Sequence, residues 1–367
     1  MTLDDTEQLL FDLVSTPSIS GDERSACAVF LRHAKTLGFE TETDEVHNAI
    51  AHRGATGSEA EVHLVLLGHI DTVPGEIPVR IEDGVLHGRG SVDAKGPLCA
   101  MLAAASRAEL PHGVRVTVAG AVGEEADSPG ARVLRDRYTP DACIIAEPSG
   151  WDGVTLGYKG ILVIRAQSDR DLSHTAGPEC SATDNAVRWW NGVQSFCERY
   201  NITRDRVFDT IQYTIRDLHT GNDGLRERAT MKIALRLPVD VDPEGLFQQL
   251  GVFLPDGVSI KMLAGESAYL TMRNDPVVRA ISGGVRAAGG SPRPKLKTGT
   301  ADLNVVAPVW GCPIAAYGPG DSLLDHTPQE RLELEEYRRS IRVLTHAIES
   351  LCSELLENKR SSLLARG

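Results

Sequence analysis

His69 and Asp71 stand two residues apart in Gly68-His69-Ile70-Asp71, so in extended chain their side chains share one side. An imidazole that binds a metal through one ring nitrogen is commonly held through the other by a carboxylate, and this spacing suits that pairing. Taken alone, the same residues also describe a loop with a satisfied histidine. Asp93 follows in Gly88-Arg89-Gly90-Ser91-Val92-Asp93-Ala94-Lys95-Gly96-Pro97, then the adjacent carboxylates Glu124 and Glu125, then Glu147 between Ala146 and Pro148. The last candidate is His326, in Asp325-His326-Thr327-Pro328-Gln329-Glu330. Individually, Asp93 reads equally as a helix N-cap, the glutamate pair as solvated charge, and Glu147 and His326 as ordinary loop residues. The inventory says more than its parts. His69, His326, Asp93, Glu125 and Glu147 are enough ligands for two borderline-hard ions sharing one carboxylate, and zinc, cobalt or manganese would suit. No Cys is among them, which argues against a closed structural zinc site. Glu124, left free beside a metal-bound neighbour, could take a proton from an activated water and pass it to a leaving amine, which is amide hydrolysis. Neither a dinucleotide-binding nor a P-loop glycine pattern accompanies the glycines near Asp93.

Short runs of Val, Leu and Ile at residues 62–67, 114–122 and 142–146 read as buried strands, with an Ala-rich helical stretch at 94–108 between them. The alternation predicts an α/β fold, a mostly parallel sheet covered by helices. His69, the Glu124-Glu125 pair and Glu147 each follow one of these runs, at the edge where such sheets bind ligands. Apolar residues at helical spacing predict helices over 3–14 and 23–37, with Gly38 as a left-handed stop. From residue 158 the order changes to strand 161–167, helix 183–200, strands 210–218 and 229–237, helix 243–253 and strand 258–263, a ferredoxin-like unit. A Gly- and Pro-rich stretch at 283–294 leads to a sheet-like run at 314–317 and a long charged helix from Gln329. The expected division is a catalytic domain of residues 1–158 and 269–367 carrying an inserted α+β domain at 159–268. Residues 358–367 read as a frayed basic tail.

A chain of 367 residues exceeds what one core usually serves, and 41% hydrophobic residues can supply two. No apolar run approaches the roughly 20 residues of a membrane span, and no basic-then-apolar leader is seen at the amino terminus. The seven cysteines are scattered, odd in number and never a CxxC pair, so reduced thiols in the cytoplasm are expected. A net charge of −13 disfavours nucleic acid and anionic membranes and favours a small-molecule or local-patch partner.

These motifs resemble the M20 family of co-catalytic metallopeptidases and deacylases, which includes acetylornithine deacetylase, succinyl-diaminopimelate desuccinylase and carboxypeptidase G. Gly68-His69-Ile70-Asp71-Thr72-Val73-Pro74, Gly88-Arg89-Gly90 to Asp93-Ala94-Lys95-Gly96, Glu124-Glu125, Ala146-Glu147-Pro148, and Gly318-Pro319-Gly320 leading to His326 carry the likeness, in order, over nearly the whole chain. The resemblance implies that His69 and Glu147 bind one ion and Glu125 and His326 the other. Asp93 would bridge them, Asp71 orient His69, and Glu124 act as base. It also implies two divalent ions, zinc first and cobalt second, and a lid or dimerisation role for the insertion. In the family a lid histidine reaches the reacting carbonyl, often from the partner subunit. Ser173-His174-Thr175-Ala176-Gly177-Pro178 looks like that element, which assigns His174 to oxyanion stabilisation in a homodimer.

Within the family, the wording around His69 and Asp93 and the segment Lys297-Thr298-Gly299-Thr300-Ala301-Asp302-Leu303-Asn304 look most like the lysine- and ornithine-releasing hydrolases of the aminoadipate route. There the amine is carried on the terminal glutamate of an acidic amino-group carrier protein, or in some relatives on an acetyl group. The Asn-Pro by which many relatives bind the substrate carboxylate is missing, and Arg226 and Arg228 are the candidates to replace it. Thr298 to Asn304 reads as the other substrate-contacting loop, with Thr300 and Asp302 as candidate contacts, Asp302 for a cationic amine. The acidic net charge opposes an acidic carrier unless a basic patch faces it, and Arg226, Arg228, Lys232 and Arg236 are predicted to contribute one. A general aminoacylase, dipeptidase or desuccinylase keeps the same metal chemistry. The complete ligand set argues against a catalytically silent binding protein, and the insertion against the related aminopeptidases that lack it.

Overall fold

The three apolar runs form the strands Val62–His69, Val114–Ala121 and Ala142–Ala146, and Ile314–Tyr317 joins them. The four run parallel to one another, in the order Val114–Ala121, Val62–His69, Ala142–Ala146, Ile314–Tyr317. The register pairs His69 with Ala121, Gly68 with Ala146, and Tyr317 with Ala146, so the strands end together on one edge. They are buried on both faces, which is why they read as continuous apolar runs. Leu64 and Leu66 are fully buried, each contributing roughly 1.5–3 kcal/mol of transfer free energy. Two further strands, Glu40–Thr43 and Ala49–Gly54, extend the sheet antiparallel beyond Val114–Ala121.

The computed structural model describes residues 3–174 and 176–364, and the chain divides into two units. One holds Met1–Gly157, Thr271–Lys295 and Ala301–Gly367; the other holds Tyr158–Leu270 and Leu296–Thr300. In the first unit the helix Lys95–Arg107 is buried along its length between the sheet and the helix Leu334–Leu364. Its run of alanines keeps it slim enough for that position.

Three expectations change here. The first half of the 283–294 stretch belongs to the helix Pro276–Ala287, which packs on Leu334–Leu364. A Cβ on Gly284 would lie 2.4 Å from the Val343 carbonyl oxygen, so this glycine marks a close helix crossing and not a linker. The presumed basic tail is helical through Leu364, with Lys359 2.6 Å from Asp141 and Arg360 2.6 Å from Glu61. Residues 365–367 lie outside the described chain. Finally, the segment from Asp302 is a helix, Asp302–Trp310, where a loop was expected.

The second unit follows the predicted β-α-β-β-α-β order. Its antiparallel sheet runs Gln212–Asn222, Arg226–Leu237, Gly160–Asp171, Val258–Glu266. The helices Ala182–Asn201 and Pro243–Gly251 cover one face, burying Trp189 with Leu162, Ile164, Met231, Ile233 and Leu235. On the opposite face Lys232, Arg165 and Lys261 stand directly across from one another on adjacent strands, and all three are exposed.

Candidate active site

The shared strand edge delivers the predicted ligands to one place. His69 is the last residue of its strand and is 1% exposed; its Nε2 lies 3.2 Å from Asp93 Oδ1 and 4.0 Å from Glu147 Oε1. His326 Nε2 lies 3.0 Å from Asp93 Oδ2 and 2.8 Å from Glu125 Oε1. Asp93 therefore presents one oxygen to each imidazole. Two donors bound to one ion at about 2.0–2.2 Å sit roughly 3–3.5 Å apart, and the 3.2 and 3.0 Å separations of Asp93 from the two imidazoles fit ligands converging on metal. His69, Asp93 and Glu125 meet as a group whose ligand atoms lie within 4.8 Å of one another.

Each ligand owes its place to its local chain. Asp93 precedes the N-cap Ala94 of the helix Lys95–Arg107, and its carboxylate is turned to the two imidazoles. Gly318 would bring a Cβ within 2.9 Å of the Glu147 carbonyl oxygen, and only glycine lets the loops of Glu147 and His326 approach this closely. His326 itself has φ +60°, a left-handed conformation unusual for a residue with a side chain and typical of functional positions.

The charges explain the proton affinities. Burial disfavours a cation at His69, yet Asp71 and Asp93 hold its imidazole well above the usual value. Asp93 and Glu125 push His326 up to about 10. A surplus of carboxylates around two imidazoles is the donor set of a site for divalent cations. Glu124 is pushed well above the carboxylate range, chiefly by burial, with Asp302, Glu147 and Glu125 adding to it against the opposing effect of His69. A carboxyl tuned upward beside the ligands is what a general base needs.

Asp71 does more than was expected of it. It is fully buried; its backbone carbonyl lies 3.0 Å from His69 Nδ1 and its carboxylate 3.5 Å from the same nitrogen. The carboxylate accepts the backbone N–H groups of Glu124 at 3.0 Å and Glu125 at 3.1 Å, and the Ser20 hydroxyl at 2.7 Å. One side chain so orients the first histidine and holds the whole glutamate pair. Glu336 was missed altogether: its Oε1 accepts N–H from Trp151 at 3.0 Å and Gly320 at 3.1 Å, joining the loops that follow Glu147 and precede His326. A glutamate in a charged helix carries no sequence signal for such a role.

The substrate candidates are placed differently. Asp302 lies in the first unit, 2% exposed and pushed up to about 6 by burial, so it does not present a free carboxylate to solvent. Arg226, Arg228, Thr300 and His174 belong to the second unit. Arg228 is paired with Asp169 at 2.7 Å and Arg226 lies 3.8 Å from Asp171. Thr300 Oγ1 receives Arg236 Nη1 at 2.7 Å and donates to the Lys159 carbonyl at 3.0 Å. His174 is exposed, and its Nδ1 accepts the Ala176 N–H at 3.1 Å within its own loop.

Comparison with known proteins bears on this geometry. Residues 65–350 match the model of peptidase family M20/M25/M40. A LysW-lysine hydrolase of Deinococcus radiodurans is 44% identical over 355 residues, covering 94% of this chain and 96% of the relative. A putative LysW-lysine/LysW-ornithine hydrolase of Thermococcus kodakarensis is 41% identical over 344 residues, 94% and 91% of the two chains. Among solved structures, an M20 family metallo-carboxypeptidase of Sulfolobus solfataricus superposes with TM-score 0.73 at 18% identity, covering 96% of this chain and all of its own. The aminopeptidase PepT of Bacillus cereus gives 0.74 at 19%, over 94% and 98%, and these two likenesses concern the fold. Together with the family match over most of its length, the relatives identify this chain as a member of the M20 metallopeptidase family.

Proposed function

We propose that the chain hydrolyses the amide bond that joins L-lysine, and L-ornithine alongside it, to the terminal glutamate of an acidic amino-group carrier protein. The observation that carries this reading is 44% and 41% identity, over 94% of the chain, to hydrolases of LysW-linked lysine and ornithine. His69 and Glu147 would hold one divalent ion, Glu125 and His326 the second, and Asp93 both. Zinc is the first choice and cobalt the second. Bound ions would supply Lewis acidity that polarises the scissile carbonyl and lowers the pKa of the attacking water. Glu124 accepts that water's proton and delivers it to the departing amine, while Asp71 keeps Glu124 in register. His174 donates to the oxygen that gains charge, from a second copy in a homodimer.

The predicted basic patch needs redrawing. Arg226 and Arg228 lie beside aspartates and Arg236 is engaged by Thr300, whereas Lys232, Arg165 and Lys261 form an exposed row across adjacent strands of the second unit, with Asp217 opposite Lys232 at one end. Like charges directly opposite one another are destabilising, so this row favours an anionic partner, and the acidic carrier is one. Free cysteines and the absence, among the described residues, of any helix long and apolar enough to cross a membrane agree with a cytoplasmic enzyme.

The deciding experiment is amine release by zinc- or cobalt-loaded protein from carrier-linked or γ-glutamyl lysine, the ornithine equivalent, N-acetyl-lysine and succinyl-diaminopimelate. The carrier-linked amines should be strongly preferred. Preference for the succinyl compound, or broad dipeptide hydrolysis, keeps the metal chemistry and removes the proposed substrate.

A further inference from the structure

Glu330 is 1% exposed and sits four residues beyond His326, and its side chain reaches into the loop that carries Asp93. Its Oε1 accepts the backbone N–H of Val92 at 2.9 Å and of Asp93 itself at 3.1 Å. Its Oε2 receives Arg89 Nη1 at 2.7 Å. Arg89 in turn donates through Nη1 to the Thr327 carbonyl at 3.3 Å and through Nε to the Gly75 carbonyl at 3.1 Å. The Gly88 N–H closes the arrangement on the Glu330 carbonyl at 3.4 Å. Three loops are tied by two side chains: the one following His69, the one leading to Asp93, and the one following His326.

We infer that Arg89 and Glu330 are positioning residues that set the separation between Asp93 and His326, and through it the geometry of the ion those two side chains would share. The inference rests on the metal-site reading above. Asp93 is pinned through its own backbone N–H, and Thr327 and Glu330 follow His326 in the chain, so the loops that bring His326 Nε2 to 3.0 Å from Asp93 Oδ2 are linked by one ion pair between buried Glu330 and half-buried Arg89. Burial of an ion pair is poor evidence for stability as such, because apolar residues of similar volume often serve equally well. Apolar residues could not, however, accept two N–H groups from one loop while drawing a donor from another. The carboxylate is specifically required: Glu330 accepts at both oxygens, whereas an amide in its place would turn a donor toward either Arg89 or the Val92 and Asp93 N–H groups. The guanidinium is required too, since a lysine ammonium cannot reach Gly75, Thr327 and Glu330 together from one point.

The test is titration of metal-free protein with cobalt(II), followed by visible absorption and by competition with a chelator, for wild type, Glu330→Gln, Arg89→Met and Arg89→Lys. The substituted proteins should bind one of the two cobalt ions about 10–100-fold more weakly, with an altered d–d spectrum, and lose kcat with little change in KM. Arg89→Lys should fall between wild type and Arg89→Met, and it serves as the second reading where Glu330→Gln does not fold. Folded variants with wild-type cobalt affinity and spectrum overturn the inference, even where Tm is lowered, because that is a purely structural role. Wild-type protein that takes up no cobalt overturns the metal reading and the inference with it, a result distinguishable from the first.

Discussion

The carboxyl edge of the parallel sheet and the surroundings of His174 carry side chains assigned to the same reaction, and they are built in opposite ways. At the sheet edge the loops that carry functional groups are held by carboxylates from other parts of the chain. Asp71 receives the N–H groups of Glu124 and Glu125, Glu330 those of Val92 and Asp93, and Glu336 those of Trp151 and Gly320. In the second unit His174 is exposed and contacts its own loop through Ala176. Ions tolerate little error in donor distance, so their ligands are preorganised by buried hydrogen bonds. A group that meets substrate only after it has bound can lie on a surface loop.

If that division holds, loss of the base at the sheet edge should have the largest effect. Glu124→Ala is expected to lower kcat by on the order of 10² to 10⁴-fold with both ions still bound, read by metal content alongside turnover. Retained activity would overturn the mechanism. His174→Ala should cost about 10² to 10³-fold in kcat with metal affinity and Tm unchanged, and a lowered metal affinity would break the separation drawn between the two regions. Replacing Arg165, Lys232 and Lys261 together by Gln should raise KM for the carrier-linked substrate about tenfold at low salt and leave N-acetyl-lysine hydrolysis alone. Equal turnover of the carrier by both proteins counts against the basic row.

The smallest effect tests the opposite end of the strand that ends in His69. His63 and His52 both contact the Thr117 hydroxyl, at 2.8 and 2.9 Å, away from the site. Burial, then Arg115 and His52, push His63 down to about 4. Its ordinary value is near 6.5, so the unfolded chain binds the extra proton first as pH falls. Stability held above about pH 6.5 is therefore lost toward pH 4, by at most about 3 kcal/mol from this residue. Urea midpoints of His63→Gln should fall less steeply over that window than those of wild type, and parallel curves would remove His63 as the cause.

Much of the catalytic sheet was legible because each strand pairs a continuous apolar run with a functional residue just past its end. His69, Glu124, Glu125 and Glu147 could be found by that rule. The helix Pro276–Ala287 was hidden by Gly283 and Gly284, which read as the start of a Gly- and Pro-rich stretch until Leu334–Leu364 is seen packed against them. The burial of Asp302 could not be read, because solvent exposure is not a local property of the chain. The fate of Arg226 and Arg228 was equally hidden, since Asp171 and Asp169 reach them only across strands.

By itself the sequence determined which residues could bind metal, which elements would carry them, and which family the motifs resemble, because apolar periodicity and motif spacing are local properties of the chain. Only the tertiary structure decided what holds those residues in place. Arg89 and Glu330 are 241 residues apart and Trp151 and Glu336 are 185 apart, and no local pattern records a hydrogen bond across such distances. They meet because parallel strands end on a common edge and bring distant loops together there.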